Sequence, residues 1–241
     1  MAILLDIEGT TTPVAFVYET LFPYARRHLR EFLGRARSTG EARSELERLK
    51  AEHDEELAAS KLDPPRWPAA PKSRDEDPAE AYVLWLMAKD RKSVGLKGLQ
   101  GKIWEAGYRE GRLRGEVFPD VPPAFERWAR QGRRIAIFSS GSILAQRLLF
   151  ESVAGGLSPS ISAYFDTTIG SKLDPASYRH IAERLDTPAS RILFVSDTEA
   201  ELDAARAAGL GTALRERSGA PAGSPATQGE HARIASFDEI P

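Results

Sequence analysis

The sequence predicts an α/β fold with a parallel sheet and an inserted helical domain. Three observations support this prediction. Three short, continuously apolar segments have the composition of strands buried on both faces. From about residue 120 onward, helical patterns alternate with such segments, as in a sheet built from right-handed crossovers. Between the first strand and this alternation, the chain has only helical patterns. Together they predict a Rossmann-like core with an inserted α-helical cap domain.

The strongest strand candidates share one form. Their sequences are AILLD (residues 2–6), IAIFSS (residues 135–140) and ILFVSD (residues 192–197). Each is apolar without alternation and ends at a serine or an aspartate, as expected for a buried strand whose end meets solvent. Two weaker candidates are FDTTIG (residues 165–170) and GTALR (residues 211–215).

Helix-start signals lie between these strands. Asp120, Asp174 and the pair Asp197-Thr198 each stand directly before a helical pattern, where a short polar side chain can cap free backbone N–H groups. The segment 218–230 is rich in Gly, Pro and Ser, which predicts an exposed loop.

The chain is predicted to divide into two domains. The α/β core takes residues 1–13 and 118–241, and the helical cap takes residues 14–117. Within the cap, the run Asp77-Pro78-Ala79-Glu80 has the pattern of a helix start with a capping box. A helical domain inserted beside a strand end is suited to act as a lid.

The composition excludes several classes of function. The 241 residues are 41% hydrophobic and 28% charged, which allows a sizeable core. The net charge of −2 argues against nucleic acid or a membrane surface as a partner. Because there is no cysteine, disulfides, thiolate metal sites and cysteine nucleophiles are excluded. No apolar stretch approaches the ~18 residues of a membrane helix, and no signal-peptide pattern is present, so we expect a cytoplasmic protein.

The side chains able to carry chemistry are predicted to meet beyond the carboxyl ends of the strands. They are Asp6, Glu8, Ser139, Ser140 and Asp197 after the strong strands, and Lys172 after the weak strand at 165–170. Asp6 and Asp197 could hold Mg²⁺ through oxygen ligands. Ser139 could hold phosphate oxygens beside a helix start, and Lys172 would neutralise negative charge. In that setting Asp6 is a candidate nucleophile toward phosphorus.

Each residue also has an ordinary structural explanation. An aspartate at a strand end most often caps a helix or a turn, and Ser139 with Ser140 would more often form a helix cap. A lysine before Asp-Pro is usually solvated. The order of the four motifs along the chain favours the catalytic interpretation.

In this order the motifs resemble those of the haloacid dehalogenase superfamily of phosphotransferases. DIEGT resembles the first motif, with Asp6 as the nucleophile that forms an aspartyl-phosphate. FSSGS resembles the second motif (Ser139), GSK the third (Lys172) and VSDTEAE the fourth (Asp197). The helical insertion after the first motif is similar to the helical cap of the superfamily.

Four longer segments make the resemblance more specific, from the superfamily to one of its families. Glu8 stands where the superfamily usually has an aspartate that serves as general acid and base. With this Glu, residues 4–25, 99–121, 137–150 and 165–182 resemble the enolase-phosphatase (acireductone synthase) family of methionine salvage.

That resemblance implies an activity and a set of site residues. The family converts 5-(methylthio)-2,3-dioxopentyl phosphate to 1,2-dihydroxy-5-(methylthio)pent-1-en-3-one and phosphate, by enolisation and then dephosphorylation. The implied roles are catalysis by Asp6 and Glu8, substrate binding by Ser139, Ser140 and Lys172, and one Mg²⁺ per subunit on Asp6, Asp197 and the backbone carbonyl of Glu8. We expect a monomer that acts on a small-molecule phosphate.

Several alternatives stay open at this level. Glu8 and Lys172 compete as the base for enolisation. Another phosphatase or mutase of the superfamily, acting on a small sugar phosphate, is the nearest rival function. A receiver-like signalling domain also uses an aspartate, Mg²⁺ and a lysine, but its usual size of ~120 residues leaves no room for the insertion. A non-catalytic binding module would tolerate Asp6→Asn.

Overall fold

The computed structural model describes residues 1–59, 63–68, 77–91, 93–217 and 231–241; the predicted loop at 218–230 lies outside them. The chain divides into two compact units, one formed by Met1–Val17 with Arg114–Pro241 and the other by Tyr18–Leu113. The first unit holds the sheet and the second is helical. That the helical unit is a cap over a site stays a prediction.

In the residues that the structure describes, six parallel strands form the sheet in the order β3-β2-β1-β4-β5-β6. Their bounds are β1 (Ala2–Leu5), β2 (Arg134–Phe138), β3 (Ile161–Phe165), β4 (Ile192–Ser196), β5 (Gly211–Arg215) and β6 (Ala232–Ile234). The fully buried β1 lies between β2 and β4, so the chain order reverses direction there. Parallel sheets bind ligands at such a switch point, beyond the carboxyl strand ends. The predicted α/β fold class is confirmed.

Eight α-helices are present in the described residues. They are α1 (Phe22–Thr39), α2 (Arg43–Ala59), α3 (Glu80–Ala88), α4 (Val94–Arg109), α5 (Val121–Arg130), α6 (Ile143–Ser152), α7 (Pro175–Arg184) and α8 (Glu199–Ala207). A π-helical segment, Phe16–Leu21, leads into α1. No helix in the described part of the chain combines the length and the apolar run that a bilayer crossing requires.

An aromatic cluster beneath the sheet supports the strand ends. Tyr178 of α7 is fully buried, and its ring lies 5.6 Å from Phe138 and 5.1 Å from Phe194, centroid to centroid. Aromatic pairs at this spacing stabilise a core beyond the area they bury. The Tyr178 hydroxyl donates a hydrogen bond to the carbonyl of Lys172 at 2.8 Å, so the cluster also holds the backbone of that residue.

The prediction of a strand at residues 165–170 is wrong. The strand is β3, which ends at Phe165, and the residues after it form a turn. The carboxylate of Asp166 accepts hydrogen bonds from the backbone N–H and the hydroxyl of Thr168, at 3.0 and 2.6 Å. Such a side-chain turn competes with strand pairing and overrides the β-propensity of the threonines. The short β6 was not predicted.

Two of the predicted helix starts in the core lack the expected side-chain cap. Asp174 does cap α7, because its carboxylate accepts from Ala176 N–H at 2.8 Å. Asp120 and Thr198 stand directly before α5 and α8, but neither side chain caps its helix. The Asp120 carboxylate instead binds two arginines, an alternative that a local pattern does not reveal.

The predicted capping box of α3 is also wrong. Asp77 accepts from Ala79 N–H at 2.8 Å, one residue outside the helix, which begins at Glu80. The Glu80 carboxylate binds the Arg30 guanidinium at 3.0 Å and is not free to return to the helix start.

Candidate active site

Asp6 follows β1 directly and is buried at the carboxyl edge of the sheet. Asp6 is only 3% exposed. Its N–H donates to the carbonyl of Val195 on β4 at 3.0 Å, and its own carbonyl accepts from the Thr11 hydroxyl at 3.1 Å. The backbone on both sides of the carboxylate is therefore held in place.

Lys172 bridges the buried carboxylate of Asp6 and the partly buried carboxylate of Glu201. Its Nζ lies 2.6 Å from Asp6 Oδ1 and 2.6 Å from Glu201 Oε2, and the residue is 7% exposed. Burial alone would lower the pKa of the Lys172 ammonium, but the two carboxylates outweigh burial and raise it. The lysine is therefore a fixed positive charge beside Asp6.

Glu201 is a site residue that sequence reasoning missed. It lies in the first turn of α8, and its Oε2 also accepts from the Ser196 hydroxyl at 3.0 Å. Burial, followed by the charge of Asp6, raises its pKa despite the lysine. The available signal was its spacing from Asp197, the residue that follows β4. Glu201 comes four residues later, and side chains four residues apart at a helix start lie on the same side of the helix.

Glu8 is the second acid of the first motif, and its environment favours proton transfer. Burial, followed by the nearby charge of Asp6, raises the pKa of the Glu8 carboxyl to about 7. A group with such a pKa exchanges protons readily near neutral pH. The Ile7 carbonyl accepts from the N–H groups of Thr11 and Thr12, both at 2.9 Å, which folds the segment after Glu8 into a tight loop.

Ser139 lies at the end of β2 on the same edge and is 1% exposed. Its hydroxyl is 3.5 Å from Glu8 Oε2 and accepts from Gly141 N–H at 3.1 Å. The residue that caps α6 is Ser142, which accepts from Ala145 N–H at 3.2 Å, so Ser139 is not the helix cap. Ser140 is exposed at the same strand end.

Asp197 follows β4 and packs against the loop after Glu8. Its N–H donates to the Thr10 hydroxyl at 3.1 Å, and its Oδ1 accepts from Thr198 at 3.1 Å. A Cβ on Gly9 would lie 1.9 Å from Asp197 Oδ2, so only glycine fits there, and its φ of +71° favours glycine as well. Burial, followed by repulsion from Asp6, raises the pKa of Asp197.

The charges of this cluster suit a divalent cation. Four carboxylates interact with one lysine: Asp6 and Glu201 contact Lys172 directly, and Glu8 and Asp197 interact with its charge at longer range. Within the described ranges, no three His, Cys, Asp or Glu side chains are arranged to hold a metal together. Carboxylate and backbone carbonyl oxygens, which this cluster does offer, are donors of the kind Mg²⁺ prefers.

Comparison with known proteins agrees with this geometry. The haloacid dehalogenase-like hydrolase family matches residues 1–209. The chain is 48% identical to "Enolase-phosphatase E1" of Synechococcus elongatus, covering 99% of this chain and 96% of that protein. It is 42% identical to "Enolase-phosphatase E1" of Drosophila grimshawi, covering 99% and 94%.

A solved structure shares the whole fold. The UTR4 protein of Saccharomyces cerevisiae superposes with a TM-score of 0.72 at 31% identity, covering 99% of this chain and 98% of that one. The similarity therefore extends over both compact units.

Proposed function

This chain belongs to the enolase-phosphatase family of the haloacid dehalogenase-like hydrolases, and we propose that it converts 5-(methylthio)-2,3-dioxopentyl phosphate to 1,2-dihydroxy-5-(methylthio)pent-1-en-3-one and phosphate. It is an enzyme of the phosphatase class. The observation that carries the proposal is the buried Asp6 carboxylate, held 2.6 Å from the Lys172 ammonium at the switch point of the sheet.

Enolisation comes first in the proposed sequence of steps. A base removes a proton from the carbon that bears the phosphate ester, and negative charge develops on the adjacent carbonyl oxygen. Glu8, with a pKa of about 7, is partly ionised at neutral pH and suits this role. Lys172 is held protonated between two carboxylates, which favours it as a stabiliser of charge and disfavours it as the base.

Phosphate transfer to Asp6 follows. One Asp6 oxygen attacks phosphorus, and the protonated Glu8 delivers its proton to the departing enol oxygen. Water then attacks the aspartyl-phosphate with Glu8 as base, which releases phosphate and regenerates the Asp6 carboxylate. The proton that Glu8 takes from this water is returned to solvent and balances the proton that the enolate oxygen takes up to give the dihydroxy product. Ser139, Ser140 and Lys172 are proposed to bind phosphate oxygens, since all three follow strands at this edge.

A Mg²⁺ ion is proposed to bind to Asp6, Asp197 and the backbone carbonyl of Glu8. When bound, it would supply positive charge that stabilises the transferring phosphoryl group and the enolate oxygen. The excess of carboxylates over lysine in this cluster supports this assignment.

The rival function is dephosphorylation of a small sugar phosphate. The diketo phosphate and a panel of sugar phosphates should be compared by kcat/KM in the presence of Mg²⁺. We expect the diketo phosphate to be preferred by at least ~10²-fold, because a site built to bind its two carbonyl oxygens leaves polar groups unpaired when a sugar phosphate takes its place. A sugar phosphate turned over equally well would favour the rival.

Glu8 variants test the assignment of the acid and base. Glu8→Gln removes the proton-transfer group, so both enolisation and phosphate release are expected to fall by ~10²–10⁴-fold. Glu8→Asp withdraws the carboxyl by ~1.5 Å, one C–C bond, and should slow both steps less. The steps are followed separately by enol absorbance and phosphate assay, with the exposed Glu199→Gln as a matched control. If Glu8→Asp slows neither step, the extra reach of glutamate has no role.

Gly9→Ala tests the packing of the first motif against Asp197. The new methyl would overlap Asp197 Oδ2 and displace this carboxylate, so we expect Mg²⁺ affinity and kcat each to fall at least ~10-fold. Gly132→Ala is the control, because Gly132 has a similar φ of +67° but open space at its Cβ position. Both variants should lose about 1–2 kcal/mol of stability from the left-handed backbone. Equal Mg²⁺ affinity of the two variants would contradict the prediction.

The state of the protein in the cell is also a proposal. We propose that it acts as a monomer in the cytoplasm on a small-molecule phosphate. The net charge of −2 argues against a nucleic-acid or membrane-surface partner. Sedimentation equilibrium is expected to give the mass of one chain, and a dimer mass would contradict this expectation.

A further inference from the structure

Arg217, just after β5, joins a partly buried ion cluster to the loop of the first motif. Its Nη1 donates to Asp120 Oδ1 at 2.7 Å, and its Nη2 donates to the backbone carbonyl of Thr10. The guanidinium carbon lies 3.5 Å from the centroid of the Phe118 ring, a cation–π contact that fixes the plane of the group. One side chain therefore spans from the start of α5 to the catalytic loop.

Thr10 links Arg217 to Asp197. The residue is fully buried, and its hydroxyl accepts the hydrogen bond from Asp197 N–H at 3.1 Å. Gly9, its neighbour, packs directly against the Asp197 carboxylate. Arg217 thus holds the backbone carbonyl of Thr10, and the hydroxyl of the same residue holds the backbone N–H of Asp197.

The position of Arg217 costs free energy of folding. Burial lowers the pKa of its guanidinium to about 10, even though Asp120 opposes the change. Within the part of the chain that the structure describes, its Nε has no hydrogen-bond partner. Desolvating a charged group and leaving one donor unmet is unfavourable unless the remaining contacts are strong.

We propose that Arg217 is a positioning residue for the active site. Through Thr10 it fixes the backbone of Asp197 and so places that carboxylate for its role toward Mg²⁺. The functional part of this inference rests on the metal role proposed above for Asp197.

Arg215 provides a matched comparison. Its Nη2 binds the same carboxylate of Asp120, at 3.1 Å, and its Nη1 donates to the carbonyls of Glu216 and Ile234 at 3.0 and 3.2 Å. None of these contacts involves the first motif. Arg215→Met and Arg217→Met therefore remove the same charge from the same cluster, but only the second removes the hydrogen bond to the Thr10 carbonyl.

Amide hydrogen exchange tests the positioning role without any activity assay. We expect Arg217→Met to speed exchange of the Asp197 amide at least ~10-fold, because its acceptor is released, and Arg215→Met to change it less than ~2-fold. Calorimetric titration of the substrate-free protein with Mg²⁺ should show at least ~10-fold weaker binding for Arg217→Met and unchanged binding for Arg215→Met. Arg217→Lys keeps the charge, but the lysine ammonium cannot donate to both Asp120 and Thr10, so it should have the same effects as Arg217→Met. It replaces Arg217→Met in these measurements if that variant does not fold.

Two results would overturn the proposal. One is an unchanged Asp197 amide in folded Arg217→Met or Arg217→Lys, and the other is an equal increase in Arg215→Met. Failure of the unmodified protein to bind Mg²⁺ would instead contradict the proposed metal site, and the amide exchange would still decide whether Arg217 positions Asp197.

Discussion

Asp6→Asn is expected to abolish phosphate release, lowering kcat by at least ~10⁴-fold, the scale seen when a catalytic nucleophile is removed. The amide has nearly the same shape as the carboxylate, but its oxygen is a far weaker nucleophile. The loss of one negative charge beside Lys172 leaves the lysine paired with Glu201, so the protein should stay folded. The measurement is phosphate release at saturating substrate.

The control for this variant is Asp203→Asn, an exposed aspartate in an ion pair with Arg206, which should keep full activity. Retention of more than about a tenth of the activity by Asp6→Asn would contradict its role as nucleophile and favour the non-catalytic binding module.

Lys172→Met is expected to lower kcat by ~10²–10⁴-fold, since it removes the fixed positive charge next to the reacting groups. It also leaves Asp6 and Glu201 facing each other without their shared cation. Breaking a buried pair of this kind typically costs 3–5 kcal/mol, so the melting temperature must be measured alongside the rate. Lys50→Met, at an exposed lysine paired with Asp54, is the matched control.

Lys172→Arg separates the loss of charge from the loss of fold. Arginine keeps the positive charge but replaces a compact ammonium with a planar group, so this variant should fold and recover only part of the activity. A folded Lys172→Met with near-normal kcat would show that the lysine is structural.

Much of the core was predictable because its signals are local. The strands that end at Asp6, Ser139 and Asp197 are buried on both faces, and such strands are recognisable as continuous apolar runs. Since parallel strands present their carboxyl ends at one edge, the meeting of these residues followed from topology. Their catalytic roles remain predictions.

The features that could not be predicted depend on contacts between distant parts of the chain. Asp120 has the sequence signature of a helix cap, yet Arg215 and Arg217, almost a hundred residues later, determine where its carboxylate points. Glu201 was missed for a related reason. Its importance comes from Lys172 on another element, and within α8 it looks like an ordinary acid of the first turn.

The ratio of enol product to released phosphate tests most directly whether one site performs both enolisation and dephosphorylation. The purified protein should be given the diketo phosphate with Mg²⁺, while enol absorbance and phosphate are followed in the same sample. We expect the two products to form in a ratio of about one to one, and EDTA to stop both, because one site performs both steps. Phosphate release without the enol, or turnover that EDTA leaves unchanged, would contradict it.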